Sequence, residues 1–361
     1  MKLYLICFFV FVVNIYKVFA TSSPVQDSSK TKNQLLAYPV VFYLPETRWG
    51  FGGAGLYTFR FNGESPKSNP SQLQFAISYT QNKQVLITFP FELYLNENTW
   101  KIKGDINYFE YLYKFYGTGI ESLETDKEFF FAKYPRIRLD VLRRYKSLFA
   151  GVRFRYDKMR ITESGPLLSS GKFTGQEGGN IAGIGFLCQW DKRDFIYNPT
   201  KGFYLETEIF INDSWIGSDF NYKRFSLDFA KYTKIAKDHT LALQIINAHN
   251  IGDPIFYDLI FFGSPKVMRG YQDRRFLDKN MLVFQSEYRF PLYKRLNGVT
   301  FFSSGTVGSQ YAHLFSNPYK FSYGAGLRYV LNQKDRVRLR LDYGLTPTEG
   351  GSFYLTINDA F

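Results

Sequence analysis

From Tyr38 to Phe361 the chain alternates apolar and polar residues with a period of two, in segments of about 10 to 15 residues. Clusters of Gly, Pro, Asn and Asp break the segments, and no helical repeat of apolar residues is sustained. The clearest case is 336–343, Arg-Val-Arg-Leu-Arg-Leu-Asp-Tyr. As a strand it puts Val337, Leu339, Leu341 and Tyr343 on one face and Arg336, Arg338, Arg340 and Asp342 on the other. In the same way Ile137, Leu139 and Val141 oppose Arg136, Arg138 and Asp140, and Val152, Phe154 and Tyr156 oppose Arg153, Arg155 and Asp157. Further on, Leu282, Phe284, Tyr288 and Phe290 oppose Gln285, Glu287 and Arg289. So many charges on strand faces would be costly in a sandwich core but are tolerable around a wet lumen. An open sheet of this size would leave unpaired edges, which closure removes.

The pattern therefore predicts an all-β fold, a transmembrane antiparallel β-barrel of about sixteen strands. They fall near 38–45, 49–62, 70–81, 83–95, 98–112, 128–144, 146–160, 179–192, 202–215, 219–234, 238–250, 278–291, 296–308, 319–331, 335–346 and 352–361. The longest stretch without a strand, about 251–277, is long enough to be expected to carry function.

The first twenty residues read differently. Lys2, an apolar run from Leu3 to Val13, and Val18-Phe19-Ala20 form an export signal with a small-residue cleavage site. The run is about half the roughly 20 residues that a spanning helix needs. Residues 21–37 are expected to be a short polar periplasmic tail, and 38–361 the outer-membrane barrel. Phe (38) and Tyr (28) are abundant although the mean hydropathy is only −0.25, as strands facing lipid on one side and water on the other require. The net charge of +13 falls to +11 when Lys2 and Lys17 leave with the signal. No run of five basic residues occurs, so the excess is assigned to the barrel interior and to anionic lipid headgroups, with no nucleic-acid partner. Cys7 lies in the signal, which leaves Cys188 as an inert strand residue without a disulfide partner.

Three motifs carry a family resemblance. Met268-Arg269-Gly270-Tyr271 is an Arg-Gly-aromatic turn in the long loop. Asp191-Lys192-Arg193-Asp194, followed by Pro199 and Gly202, matches an Asp-x-Arg-Asp…Pro-x-x-Gly hairpin. Phe301-Phe302-Ser303-Ser304-Gly305 matches a Phe-x-Asp-x-Gly strand with Ser303 in place of the aspartate. Together they resemble the BamA/TamA-type barrels of the bacterial surface antigen family. The resemblance covers most of the mature chain and is strongest from about 178 to 361. It implies that the loop folds back into the lumen and that Arg269 contacts acidic or polar groups on the inner wall. Glu287, on the lumen-facing register of the following strand, is then the best candidate; Ser303 removes the expected ionic partner and leaves Glu287 or a hydroxyl contact instead. The resemblance also reads the terminal strand, closing on Phe361, as a barrel-assembly signal; Phe353, Leu355 and Ile357 share its face, and Asp359 interrupts it.

Members of that family insert or export other proteins, so assistance to protein insertion or translocation is the expected role. A passive pore or a structural subunit of an envelope complex is the alternative. Only about 17 residues lie between the signal and the first expected strand, too few for a polypeptide-transport-associated domain, so partner subunits are expected to supply one. Client proteins are not identifiable from the sequence. No enzymatic chemistry, metal or cofactor is expected. His239, His249 and His313 lack ligand spacing, and Gly50 to Gly55 lead into a strand instead of the helix a dinucleotide site needs.

Overall fold

The computed structural model describes residues 33–44, 48–65, 68–196, 198–332, 337–357 and 359–361. The export signal, residues 21–32 of the expected tail and Arg336 lie outside them. Sixteen strands form one antiparallel sheet in which each strand pairs with its sequence neighbours. They are β1 (Gln34–Leu44), β2 (Arg48–Phe59), β3 (Ser71–Thr80), β4 (Val85–Leu95), β5 (Trp100–Phe115), β6 (Glu128–Tyr145), β7 (Leu148–Glu163) and β8 (Gly178–Asp191). After them come β9 (Gly202–Asn212), β10 (Tyr222–Ala236), β11 (His239–Gly252), β14 (Asn280–Tyr293), β15 (Leu296–Gly308), β16 (Lys320–Asn332), β17 (Val337–Thr346) and β18 (Gly350–Ile357). Two three-residue strands, β12 (Ile260–Phe262) and β13 (Phe276–Asp278), pair inside the long β11–β14 connection.

Strand boundaries agree with the sequence reading within three residues except at two places. Residues 34–37, assigned to the polar tail, belong to β1, where they pair with Gly55, Leu56, Tyr57 and Thr58 of β2. The last strand stops at Ile357 instead of running to Phe361.

The two faces separate as the alternation requires. Phe154, Phe186, Ile209, Phe284, Phe302, Leu341 and Phe353 are exposed on the outside, whereas Asp140, Arg155, Asp157, Glu287, Arg340 and Asp342 are buried facing the lumen. Water is absent from the hydrocarbon layer, so the backbone must be satisfied by the ladders, and an apolar outer band with a polar interior defines a transmembrane barrel. Among the described residues no helix is long and apolar enough to cross a membrane, which the strands do instead.

Connections alternate between the two ends. One end carries the longer ones, 116–127, 164–177, 253–279 and 309–319; most turns at the other are short, as at 146–147, 237–238 and 294–295. Among the described residues no ladder joins β1 to β18, the first and last strands of the sheet.

Phe186 lies mid-strand on the lipid face and is about half exposed. Phe186→Arg is expected to lower stability in lipid vesicles by about 2–4 kcal/mol if the site is near the midplane. A urea titration followed by heat-modifiable gel migration measures this; an unchanged midpoint would mean that this face does not meet lipid.

Candidate functional site: a luminal arginine turn

The β11–β14 connection does not extend into solvent. It turns inward and is held at both ends by buried contacts. At its start, Phe256 and Tyr257 pack with Phe115, Phe130 and Tyr134 of β5 and β6. The Tyr134 and Tyr257 hydroxyls are 2.7 Å apart. Asp258 accepts from Arg155 Nη1 at 2.6 Å, from the Tyr222 hydroxyl, and pairs with Arg224 at 3.0 Å. Burial opposes ionisation of Asp258, but Arg155 and Arg224, with the Tyr222 hydrogen bond, outweigh it and hold the carboxyl well below the usual range.

The tip of the connection is the Arg-Gly-Tyr turn. Met268 takes φ +57° and Gly270 φ +116°. Met268 is buried against Phe262, Tyr271, Phe276, Val283 and Val307. The Gly270 backbone lies on β17 at Gly344, where a Cβ would come within 2.6 Å of Gly270 N. Two glycines face each other because a side chain on Gly344 would push the turn off the wall. From β18, Tyr354 Oη accepts from Gly270 N at 2.9 Å and donates to Tyr271 O at 3.1 Å, while Ser352 Oγ donates to Gly270 O at 3.1 Å. Tyr271 Oη donates to Phe321 O of β16 at 3.1 Å.

This clamp delivers Arg269 to a fully buried position between two carboxylates. Its Nη1 donates to Asp342 Oδ2 at 2.7 Å, and its Nη2 lies 2.7 Å from Glu287 Oε2, an ion pair whose direction is poor for a hydrogen bond. The guanidinium carbon also sits 3.6 Å from the Phe301 ring centroid. Around this pair Arg328 reaches Asp342 at 2.5 Å, Glu287 at 3.4 Å and Asp359 at 2.8 Å. Arg289 binds Glu287 at 2.7 Å, and Arg340 donates to Pro265 O at 2.8 Å. Charges out of water need this density of partners, since losing one leaves the others uncompensated.

The structure places Arg269 and Glu287 together, 2.7 Å apart. Ser303 does not take the aspartate's role at the arginine: its hydroxyl donates to Gln285 Oε1 at 3.2 Å, and the same oxygen accepts from Met268 N at 2.9 Å. The second acid is Asp342, which sequence reasoning placed on the lumen face of its strand but did not connect with the turn. Arg328, Arg340 and Asp359 were missed too. Arg340 and Asp342 carried a signal, the charged face of 336–343; for Asp359 the only trace was a break in an apolar pattern.

Phe361 requires a correction. It does not share an outer face with Phe353, because residues 359–361 leave the strand and turn into the lumen. Asp359 is drawn there by Arg328 and by Arg289 at 3.3 Å, Ala360 is buried, and Phe361 packs against Ala230, Tyr232 and Ala242 on the opposite wall.

The hairpin motif sits at the short-turn end. Arg193 forks onto Asp191 at 2.9 and 2.6 Å, and Asp194 accepts from Thr200 N and Oγ1 at 2.8 and 2.6 Å. Gly202 takes φ +104°, and a Cβ there would stand 2.1 Å from Lys192 O. Pro199 O accepts from Arg289 Nη1 at 3.1 Å. The two motifs, read as separate from sequence, thus meet at Arg289 and run as one chain of contacts from the short-turn end to the arginine turn.

A luminal loop locked by arginine inside a sixteen-stranded barrel defines the class: a transmembrane barrel of the kind that carries a folded-back loop. The chain belongs to the Omp85 superfamily, whose domain model matches residues 51–361. It is similar in fold to BamA from Haemophilus ducreyi lacking POTRA domains 1-3, with 13% identity and a TM-score of 0.60, over 91% of this chain and 70% of that one. It is also similar to CdiB from Escherichia coli, with 9% identity and a TM-score of 0.62 over 90% of this chain, and to CdiB from Acinetobacter baumannii, with 12% and 0.55 over 90%. The chain spans 61% and 59% of those two structures, less than two thirds of their length. No curated protein matches.

Arg269→Ala is expected to cost about 3–5 kcal/mol, because it leaves Glu287 and Asp342 buried against fewer cations. Protease cleavage within 253–279 should become fast while the barrel still migrates as a folded species. Unchanged protection would mean that the turn is held without its arginine.

Gly202→Ala forces a side chain into left-handed backbone against Lys192 O and should destabilise the barrel by at least about 1–2 kcal/mol. An unchanged urea midpoint would contradict that placement.

For Asp258, whose folded value is depressed, the stabilisation is complete above the ordinary value of about 3.9 and is lost as pH falls below it. Pepsin should therefore cut 253–279 increasingly as pH is lowered from 4 toward 2, and Asp258→Asn should remove most of that dependence.

Proposed function

We propose that the chain is an outer-membrane protein of a Gram-negative bacterium, exported with loss of residues 1–20, that assists insertion or translocation of other proteins without enzymatic chemistry or a cofactor. The observation that carries this reading is the contrast between a firmly braced lumen and an unpaired seam. The arginine turn clamps β14, β16, β17 and β18 together, while β1 and β18 present edges with no ladder between them among the described residues. A free strand edge is a template for a further strand, and strand addition is the simplest route by which a barrel could take up an incoming hairpin. Partner subunits would bring periplasmic domains and clients to that seam.

A passive pore is the second reading. A lumen cavity of about 410 Å³, lined by Lys103, Arg138, Arg153, Glu92 and Asp140, favours it. The two readings separate in reconstituted bilayers. As an insertase, the protein should accelerate the folding of a second barrel in liposomes and lose that effect with Arg269→Ala. If no acceleration occurs with any added partner, but steady conductance appears and grows on deletion of 264–275, the pore reading replaces it.

A further inference from the structure

On the outer wall, over β10, β11, β14 and β15, the lipid-facing side chains leave a groove of about 490 Å³. Phe229, Leu243, Phe284 and Phe302 form its apolar walls, and the small Ser286 leaves the recess between Phe284 and Phe302. Ser286 turns its hydroxyl back onto Phe302 O at 3.4 Å, so its polar group is spent on backbone.

One cation enters this surface. Lys231 lines the groove, and its cross-strand neighbours are Phe203 and Leu243. It makes no ion pair or hydrogen bond among the described residues. Both neighbours are apolar, so Lys231 lies within the apolar outer face. A lysine on the lipid face is destabilising unless its charge reaches an anion. The nearest anions outside the protein are the headgroup phosphates at the short-turn end, which a lysine's long stem reaches by extending along the wall.

We propose that this groove is a binding site for an anionic phospholipid, with one acyl chain between Phe229, Phe284 and Phe302 and the phosphate on the Lys231 ammonium. The site backs onto the luminal turn. Gln285, between the groove residues Phe284 and Ser286, binds Met268 N at 2.9 Å and Lys266 O at 3.0 Å from the inner face of the same strand. A lipid seated outside therefore stiffens the wall segment that carries the turn inside. This inference rests on the barrel and its lipid face, and is independent of any role in insertion.

The test uses the full-length protein in nanodiscs of phosphatidylethanolamine and phosphatidylglycerol, released into mild detergent and weighed intact by native mass spectrometry. The wild type should retain phosphatidylglycerol in preference to phosphatidylethanolamine. Lys231→Gln should cut that retention about fivefold, the order expected for one lysine at an anionic surface. Ser286→Phe, which fills the recess, should reduce retention of both lipids. Lys223→Gln, at the opposite end of the same strand face, should leave retention unchanged, and heat-modifiable migration checks that each variant folds. Equal retention of the two lipids by the wild type, or full retention of phosphatidylglycerol by folded Lys231→Gln, would overturn the proposal. Copurification of a protein that occupies the groove in place of lipid would overturn it as well.

Discussion

The structure depends on one buried charge. Arg269 is carried into the lumen on a turn and sits between Glu287 of β14 and Asp342 of β17, with no solvent to stabilise it. A guanidinium in such a place is tolerable only if carboxylates wait for it, and those carboxylates are tolerable only if cations neutralise them. Arg289, Arg328 and Arg340 supply the rest of the balance. The cluster is therefore a set of mutual obligations: each member is stable because the others are present.

The obligations reach beyond the turn. Arg289 touches the hairpin at Pro199 on one side and Asp359 on another, and Arg328 also binds Asp359. Through these contacts the loop at one end, the hairpin at the other and the segment following β18 are tied to the same inner wall. That wall is the one which ends at the seam. Bracing of β14 to β18 holds the last strand in place against β17.

Inside and outside follow opposite rules on the same strands. On β14, Phe284 and Ser286 face lipid while Gln285 and Glu287 hold the turn, so each step along the chain crosses the wall. The period-two alternation makes this possible, and it also means that an event on the lipid side is never more than one residue away from the luminal cluster.

Much of this was legible in the sequence, because strand periodicity is a local property. Alternation over a few residues decides which side chains face water, and sixteen such runs with breakers between them place sixteen strands. The arginine turn and Glu287 could be paired because a family pattern already links a turn to a strand face. What the sequence did not reveal are contacts made across the lumen. Asp342 lies 73 positions from Arg269, Asp359 31 from Arg328, and Pro199 90 from Arg289. Nothing in a strand's own pattern records which distant residues will be brought beside it. Asp359 shows the difference most plainly: along the chain it breaks an apolar face, and only the side-by-side packing of β14 to β18 supplies the arginines that turn it, and Phe361 with it, inward. Local chemistry determined the strands and their faces, whereas the choice of partners waited for the curvature that brings distant walls within reach of one another.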